Sequence, residues 1–212
     1  MKLYHYVHCP FCVRVRFALA YLEVPYESVI LPYDDEKTPL SLTGVKMLPI
    51  LTDRNGHHMN ESLDIIKYLD VDNKIPFNIY EDNTEEIEDL LSLIGSEVHS
   101  LAMPYWIWTP EFNEISRQYF QKKKEIKRGP FKDLVKHQSK HISKLDTLLN
   151  KLEGHLQPFY RSNQLSIADI ILASHLWGMY IVPEYQFSNK IHTYLQLIKN
   201  LCHFDYHQDF WK

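Results

Sequence analysis

The sequence predicts two domains, an α/β domain at the N-terminus and an all-α domain after it. Within residues 1–72, strand-like runs rich in β-branched residues alternate with helix-like runs. From residue 85 to residue 212, apolar residues recur only at helical spacing, and no hairpin signal or strand alternation is present. Between these parts, residues 73–84 contain a proline and several Asn and Asp residues, a composition that favours a linker.

A Cys-x-x-Cys motif lies between the first strand-like run and the first helix-like run. Because Pro10 has a fixed φ and lacks an N–H, it suits the first position of the helix, which places Cys9 at the N-cap. The free N–H groups and the helix dipole there favour a Cys9 thiolate by up to about 2 kcal/mol. This effect lowers the pKa of a cysteine from about 8.5 to about 7. A lower pKa requires direct N–H···S hydrogen bonds or a nearby cation, for which His8 and Arg16 are candidates that the sequence does not rank.

A Cys-x-x-Cys at a strand-to-helix junction is typical of a thioredoxin-like redox site, in which Cys9 and Cys12 form a redox-active disulfide. The alternative is half of a zinc site, completed by two histidines from among His5, His8, His57 and His58. Zinc sites usually have a second paired set of ligands, whereas the remaining cysteine, Cys202, is isolated. We therefore expect redox chemistry without a metal, and a buried structural role for Cys202.

The composition limits the classes of function. The formal net charge of −4 argues against nucleic-acid binding, and the basic residues between Lys122 and Arg128 predict a solvated helix face. No apolar stretch approaches the ~18 residues of a membrane span, and the N-terminus has no signal-peptide core. Two of the three cysteines share one motif, so a disulfide framework is not expected. These features predict a reducing compartment, most simply the cytoplasm.

The N-terminal domain is predicted to have the order β-α-β-α-β-β-α. The predicted strands are residues 2–7, 26–31, 47–51 and 57–60, and the predicted helices are residues 13–22, 34–42 and 61–69. The first β-α-β unit implies a parallel pair of strands, and Asn55-Gly56 predicts an antiparallel hairpin. The first helix is apolar on nearly all sides, so a second domain should cover the face that the sheet leaves open.

The second domain is predicted to consist of helices alone. Its predicted helices are residues 84–101, 112–128, 134–152, 165–182 and 188–201, with Pro104 and Pro110 bracketing an aromatic segment after the first. The stretch from Leu165 to Ile170 has the layout of a capping box, with Ser166 as the N-cap and Asp169 returning the bond. Leu165 and Ile170 are placed to form a hydrophobic staple.

Several short motifs occur together in this chain. They are residues 1–4, 8–12, 48–51 and 61–65, and Tyr119-Phe120 with Lys123-Lys124-Glu125. Over the whole chain these motifs resemble the glutathione-transferase superfold, and within it the bacterial glutaredoxin 2 family. Phe11 departs from the family pattern, which often has tyrosine there, and Val7 stands where a polar residue is common. The resemblance implies a thioredoxin-like α/β domain plus an all-α domain in a glutathione-transferase-like architecture.

The resemblance also implies a glutathione site. Pro49 would be the cis-proline of this fold, facing the cysteine pair, and Leu48 would offer its backbone to glutathione as an added strand. Glu61 and Ser62 stand at a predicted helix start, where free N–H groups attract a carboxylate, and they would hold the γ-glutamyl end. The alternative for Ser62 is an ordinary N-cap, which is compatible with that role.

The predicted function is that of a glutathione-dependent thiol–disulfide oxidoreductase. We expect a monomer, without nucleic-acid or membrane partners. Cys9 would attack protein disulfides and glutathionylated proteins, Cys12 would resolve the mixed disulfide, and glutathione would be the co-substrate. A glutathione transferase or dehydroascorbate reductase on the same scaffold is the first alternative, with Tyr105 to Trp108 lining an electrophile pocket. A non-catalytic interaction module and an iron–sulfur carrier using Cys9 and glutathione across a dimer are the others.

Overall fold

A four-stranded mixed sheet forms the centre of the N-terminal domain. In the computed structural model, which describes residues 1–204, the strands are β1 (Lys2–His5), β2 (Glu27–Ile30), β3 (Ile50–Thr52) and β4 (His58–Met59). The strand order is β2-β1-β3-β4, in which β1 and β2 are parallel and the other neighbours are antiparallel. The predicted parallel pair and hairpin are therefore confirmed, although each strand is shorter than its predicted run.

Helices account for most of the remaining chain. In order they are α1 (Pro10–Tyr21), α2 (Lys37–Thr43), α3 (Ser62–Leu69), α4 (Asn78–Asp82), α5 (Thr84–Trp106), α6 (Glu114–Arg128), α7 (Phe131–Lys136), α8 (Gln138–Glu153), α9 (Ile167–Leu176) and α10 (Asn189–Leu201). A 3₁₀ helix, Trp177–Ile181, continues α9. The segment expected to be a linker contains α4, and the Pro76 carbonyl within it accepts a hydrogen bond from the N–H of Ile167 at the start of α9.

Helix α1 is buried on nearly all sides, as its composition predicts. Val13, Val15 and Phe17 have no exposed surface. The helix packs against α3 of its own domain and against α9 of the helical domain. A single cluster of buried apolar side chains consequently extends through both domains, and it fixes the N-terminus of α1 against the helical domain.

The helix boundaries in the second domain differ from the prediction. Helix α5 continues through Pro104 instead of ending before it, because Trp106 is buried and its Nε1–H donates to the Gly178 carbonyl oxygen at 3.2 Å. The single helix predicted over residues 134–152 is interrupted at His137, which separates α7 from α8. His137 Nδ1 lies 2.8 Å from the Asp133 carbonyl oxygen, a local contact that competes with helix continuation.

A capping box is present at the start of α9. The Ser166 N–H and hydroxyl both donate to Asp169 Oδ2, at 2.9 and 2.8 Å. Asp169 Oδ1 accepts from the N–H of Tyr160 at 2.7 Å and from the hydroxyl of Tyr194 at 3.1 Å. The carboxylate has no exposed surface, so it joins the helix start, the preceding loop and α10 within the core.

Two further predictions concern the burial of Cys202 and the absence of a membrane-spanning stretch. Cys202 follows α10 and is fully buried, and burial raises the pKa of its thiol to about 12. Among the helices of residues 1–204, none combines the length and the apolar character that a membrane crossing requires.

Candidate active site

Cys9 stands at the N-cap of α1, and Pro10 occupies the first turn. The cysteine lines a cleft of about 430 Å³ between the two domains. From the N-terminal domain the cleft takes Tyr6, His8, Cys9, Pro10, Phe11, Tyr33, Lys46, Met47 and Leu48, and from the helical domain His99, Met103, Trp106, Phe120, Lys124, Lys127 and Arg128. A volume of this size suits a small-molecule ligand.

The two thiols of the motif have different environments. Both are free, but Cys9 is partly exposed whereas Cys12 has no exposed surface. A hydrogen bond from the Cys12 thiol, supported by the N–H groups of Cys12 and Phe11, lowers the pKa of Cys9 to about 7 against the opposing effect of burial. Burial, and then the interaction with Cys9, raises the pKa of Cys12. The geometry therefore favours the thiolate form at Cys9 and the protonated thiol at Cys12.

The cation that lowers the pKa of Cys9 is Arg14. Its guanidinium lies over the Phe11 ring at 4.7 Å, and its Nη1 donates to Ser62 Oγ at 3.5 Å. The expectation that His8 or Arg16 supplies this cation is wrong. Helical side chains lean towards the N-terminus of their helix, so Arg14 reaches back to the motif. Arg16 instead donates to the Val7 carbonyl oxygen at 3.3 Å, and its charge opposes the rise in the pKa of Cys12 that burial causes.

His8 connects the motif to the helical domain. It is buried, its Nδ1 lies 3.0 Å from Glu111 Oε1, and its ring stacks on Trp106 and Trp177 at 5.1 and 6.1 Å. Burial raises the pKa of Glu111. No sequence pattern predicts this contact, because Glu111 lies about 100 residues away from His8 in the chain. The contact fixes the position of Cys9 relative to the helical domain.

The residues expected to bind glutathione lie on two sides of Cys9. The Leu48–Pro49 peptide is cis, and Leu48 lines the cleft together with Cys9. Glu61 is the N-cap of α3, and Ser62 is the first residue of that helix and is buried. Ser62 is therefore not an N-cap. Glu61 and Ser62 do not line the cleft, and neither does Arg14, which contacts Ser62 on one side and the ring of the cleft residue Phe11 on the other.

Residues of α6 join the two domains beside the cleft. The Tyr119 hydroxyl donates to Glu36 Oε1, and the same carboxylate oxygen lies 3.0 Å from Lys46 Nζ and 3.3 Å from Lys123 Nζ. The bond from Tyr119 and those from the lysines lower the pKa of Glu36 to about 2. This network holds the loop before α2 against α6, which explains why Tyr119 and Lys123 occur together as a motif.

The histidines considered for a zinc site have other contacts. His5 Nε2 lies 2.8 Å from Ser28 Oγ, and His58 Nδ1 lies 2.8 Å from Thr52 Oγ1. His57 lies 3.4 Å from Asp53, in the exposed hairpin. Within residues 1–204, no three His, Cys, Asp or Glu side chains are grouped so that they could hold a metal ion.

Comparisons with known proteins place this geometry in a family. Residues 86–209 match the model of the glutaredoxin 2 C-terminal domain, and residues 3–74 match the model of the glutathione S-transferase N-terminal domain. Glutaredoxin 2 of Escherichia coli strain K12 is 31% identical over 199 residues, which cover 92% of each chain. The chain belongs to the glutaredoxin 2 family. It is accordingly a glutathione-dependent oxidoreductase, and the resemblance predicted from its motifs is confirmed.

Solved structures agree with membership of the glutaredoxin 2 family. Glutaredoxin 2 from Salmonella typhimurium, solved in complex with glutathione, has a TM-score of 0.86 and 30% identity, covering 99% of this chain and 97% of that one. A glutathione S-transferase of Ceriporiopsis subvermispora, also in complex with glutathione, has a TM-score of 0.79 at 16% identity, covering 94% and 96%. The second likeness concerns the fold, and the predicted glutathione-transferase-like architecture is confirmed.

Proposed function

We propose that this chain reduces glutathionylated proteins and protein disulfides, with Cys9 as the nucleophile and Cys12 as the resolving thiol. The observation that carries the proposal is the asymmetry of the two thiols. Cys9 is partly exposed in the cleft and has a pKa of about 7, whereas Cys12 is buried and its pKa is raised. A thiol whose pKa lies near the ambient pH is the most effective attacking group in disulfide exchange.

The exchange with a glutathionylated protein needs Cys9 alone. Its thiolate attacks the glutathione sulfur, the Cys9–glutathione bond forms, and the protein thiolate leaves and takes a proton from water. A second glutathione thiolate then attacks this disulfide, which releases oxidised glutathione and restores the Cys9 thiolate. With a protein disulfide, Cys9 bonds to the substrate and Cys12 displaces it. Two glutathione molecules then reduce the resulting Cys9–Cys12 disulfide.

Glutathione is proposed to bind between the cis-proline strand and the start of α3. The backbone of Leu48, fixed by the cis bond to Pro49, would pair with the cysteinyl part of glutathione as an added strand. The N-terminus of α3 with Ser62 would hold the γ-glutamyl carboxylate, Glu61 would pair with the ammonium group of the same γ-glutamyl end, and Arg14 would add a positive charge beside Ser62. The Salmonella relative in complex with glutathione supports binding of this ligand.

The proposed partners are glutathione and proteins that carry disulfides or glutathionylated cysteines. A reduced Cys9–Cys12 pair is required for attack, which supports the proposal of a cytoplasmic location, where thiols are kept reduced. We further propose that the chain acts as a monomer, since Cys9 and Cys12, the two thiols of the proposed exchange, both belong to one chain.

Turnover of a small mixed disulfide tests the proposed function. The wild-type protein is supplied with the mixed disulfide of glutathione and mercaptoethanol, together with reduced glutathione, and the oxidised glutathione formed is followed with glutathione reductase and NADPH. We expect turnover that requires glutathione. Conjugation of glutathione to an aryl halide, measured in parallel, should be absent. Conjugation without disulfide turnover would contradict the proposal and favour a transferase.

The start of α3 provides a test of glutathione binding. Ser62→Ala and Glu61→Gln should each raise the KM for glutathione by about tenfold, because a hydrogen bond to a charged group contributes roughly 1.5–3 kcal/mol. The pKa of Cys9 should change little, since the Arg14 charge is retained. Ser41→Ala is the control, because this exposed serine of α2 donates only to the Thr38 carbonyl among residues 1–204. Wild-type glutathione kinetics in both α3 variants would show that the γ-glutamyl group binds elsewhere.

A further inference from the structure

Basic side chains are concentrated around Cys9 in a chain that is acidic overall. The formal net charge is −4 at pH 7, yet the cleft is lined by Lys46, Lys124, Lys127 and Arg128 and, within residues 1–204, by no Asp or Glu. Lys46 is neutralised by Glu36, at 3.0 Å. In the described part of the chain, no carboxylate lies within ion-pair distance of Lys124, Lys127 or Arg128. The helical-domain wall of the cleft therefore carries three cations without an ion pair among the described residues, and Glu97 attracts Arg128 only from beyond ion-pair distance.

The Arg128 guanidinium is held in place without being neutralised. It donates to the Ser96 carbonyl oxygen at 3.0 Å and to Ser100 Oγ at 3.3 Å, and it lies 3.3 Å from His99 Nδ1. These acceptors are uncharged, since burial lowers the pKa of His99 to about 3. The arginine is thus oriented by neutral groups, and its charge remains available to a ligand.

A second cavity, of about 650 Å³, adjoins the cleft, and we call it the α5 groove. Phe11, His99, Lys127 and Arg128 line both cavities. The rest of the α5 groove is formed by Leu91, Ser92, Gly95, Ser96 and Ser100 of α5 and by His175 of α9. Burial lowers the pKa of His175 to about 4, so the lining is neutral apart from the basic pair at the junction.

The position of the α5 groove relative to Cys9 indicates what it receives. In a glutathionylated protein, the glutathione sulfur is bonded to the protein, so the protein must extend out of the cleft while Cys9 attacks. The junction formed by Phe11, Lys127 and Arg128 leads from the cleft into the α5 groove. Polypeptide that follows this path passes two unpaired cations, and acidic side chains complement them.

We propose that Lys127 and Arg128 select glutathionylated proteins in which acidic residues flank the modified cysteine, with that segment lying in the α5 groove. The proposal rests on the function proposed above and names a substrate class for it. The exchange step is unchanged. The Cys9–glutathione bond forms as the glutathione–protein bond breaks, and a second glutathione supplies the reducing thiolate.

Three glutathionylated peptides of equal length test the selection, with the modified cysteine flanked by Glu, by Lys or by Ser. For the wild-type protein at low ionic strength, kcat/KM should be about tenfold or more higher for the acidic peptide than for the basic one. The ratio should fall as salt is added, because the Debye length shrinks from about 30 Å at 0.01 M to about 8 Å at 0.15 M. Equal turnover of all three peptides would overturn the proposal and leave the proposed function intact.

Charge reversal at Lys127 tests whether the junction is responsible for the preference for acidic peptides. Lys127→Glu should reduce the acidic-to-basic ratio by about tenfold, and the ratio is used because effects on glutathione binding cancel in it. Lys122→Glu is the control, since Lys122 is exposed on the same helix and lines neither cavity. An equal loss in both variants, or no loss in Lys127→Glu, would overturn the proposal. No turnover of any peptide or of the mercaptoethanol mixed disulfide would overturn the proposed function itself.

Discussion

Replacement of Cys9 by serine is expected to abolish every exchange activity, whereas replacement of Cys12 by serine should abolish only one. Cys9 is the thiol that lines the cleft and has a pKa of about 7, so without it no attacking thiolate remains. Cys12 is fully buried, and its proposed role is to displace a bound protein from Cys9. Reduction of protein disulfides should therefore fall sharply in Cys12→Ser, while removal of glutathione from glutathionylated substrates should persist.

Both variants should be measured in both assays, with mass spectrometry of the trapped adduct after treatment with oxidised glutathione. Cys12→Ser should carry one glutathione on Cys9. Cys202→Ser is the matched control, because burial raises the pKa of Cys202 and its loss should leave both activities unchanged. If Cys12→Ser loses deglutathionylation while Cys9→Ser retains it, the roles are reversed. Full activity in both variants would show that the motif is not the catalytic site.

The pH dependence of alkylation provides a further readout in Cys12→Ser, in Cys12→Ala and in the wild-type protein. Since the thiolate is the reactive form, the alkylation rate of Cys9 should rise with pH up to its pKa of about 7 and level off above it. The Cys12 thiol makes the largest contribution to that low pKa. Because a serine hydroxyl can still donate to Cys9, the midpoint should move to higher pH most clearly in Cys12→Ala, which has no donor. An unchanged midpoint in Cys12→Ala would show that the helix N-terminus and Arg14 are sufficient.

Asp169→Ala should cause a large loss of global stability. Its carboxylate accepts hydrogen bonds from the N–H groups of Ser166 and Tyr160 and from the hydroxyls of Ser166 and Tyr194. The substitution leaves these buried donors without a partner, and each orphaned donor costs roughly 1–3 kcal/mol. We expect a decrease of about 4 kcal/mol in the free energy of unfolding. Ser166→Ala removes only the hydroxyl of the N-cap and should lower the free energy of unfolding by about 0.5–2 kcal/mol.

Urea unfolding at several pH values tests this expectation. Burial raises the pKa of Asp169 to about 6, so between pH 4 and 6 the native state holds a proton that the unfolded chain has released. The contribution of this group to stability therefore decreases as the pH rises from about 4 to about 6, and it is constant above that range. In Asp169→Ala, the free energy of unfolding should not show this decrease between about pH 4 and about pH 6. A variant that unfolds like the wild-type protein would show that the carboxylate is not a structural centre.

The sequence predicts well those features that are decided within a few residues. Pro10 at the first position of a helix places Cys9 at the N-cap whatever surrounds it, because the fixed φ and missing N–H of proline are local properties. The capping box of Ser166 and Asp169 is local as well, because its hydrogen bonds join residues three positions apart. The apolar circumference of α1 even predicted that a second domain must cover it, since burial on all sides requires a partner on each side.

The wrong predictions concern competition between local and distant contacts. Pro104 should end a helix by its local chemistry, but the burial of Trp106 outweighs the missing N–H. His8, Arg14 and Arg16 all lie within about two helical turns of Cys9 in the sequence, and sequence separation could not decide among them. The structure decides in favour of Arg14, because Glu111 and the Val7 carbonyl engage His8 and Arg16.

The sequence by itself determined the redox motif, the order of the N-terminal elements, the helical second domain and the family. The tertiary structure alone decided what surrounds Cys9. The cleft combines Cys9 and Leu48 with Lys124 and Arg128, which lie more than 70 residues further along the chain. Periodicity and capping act over a few residues and carry no information on which distant side chains meet, since that depends on how α1 packs against the helical domain. The charge of the site, and with it the proposed choice of substrate, is therefore a property of the packed domains.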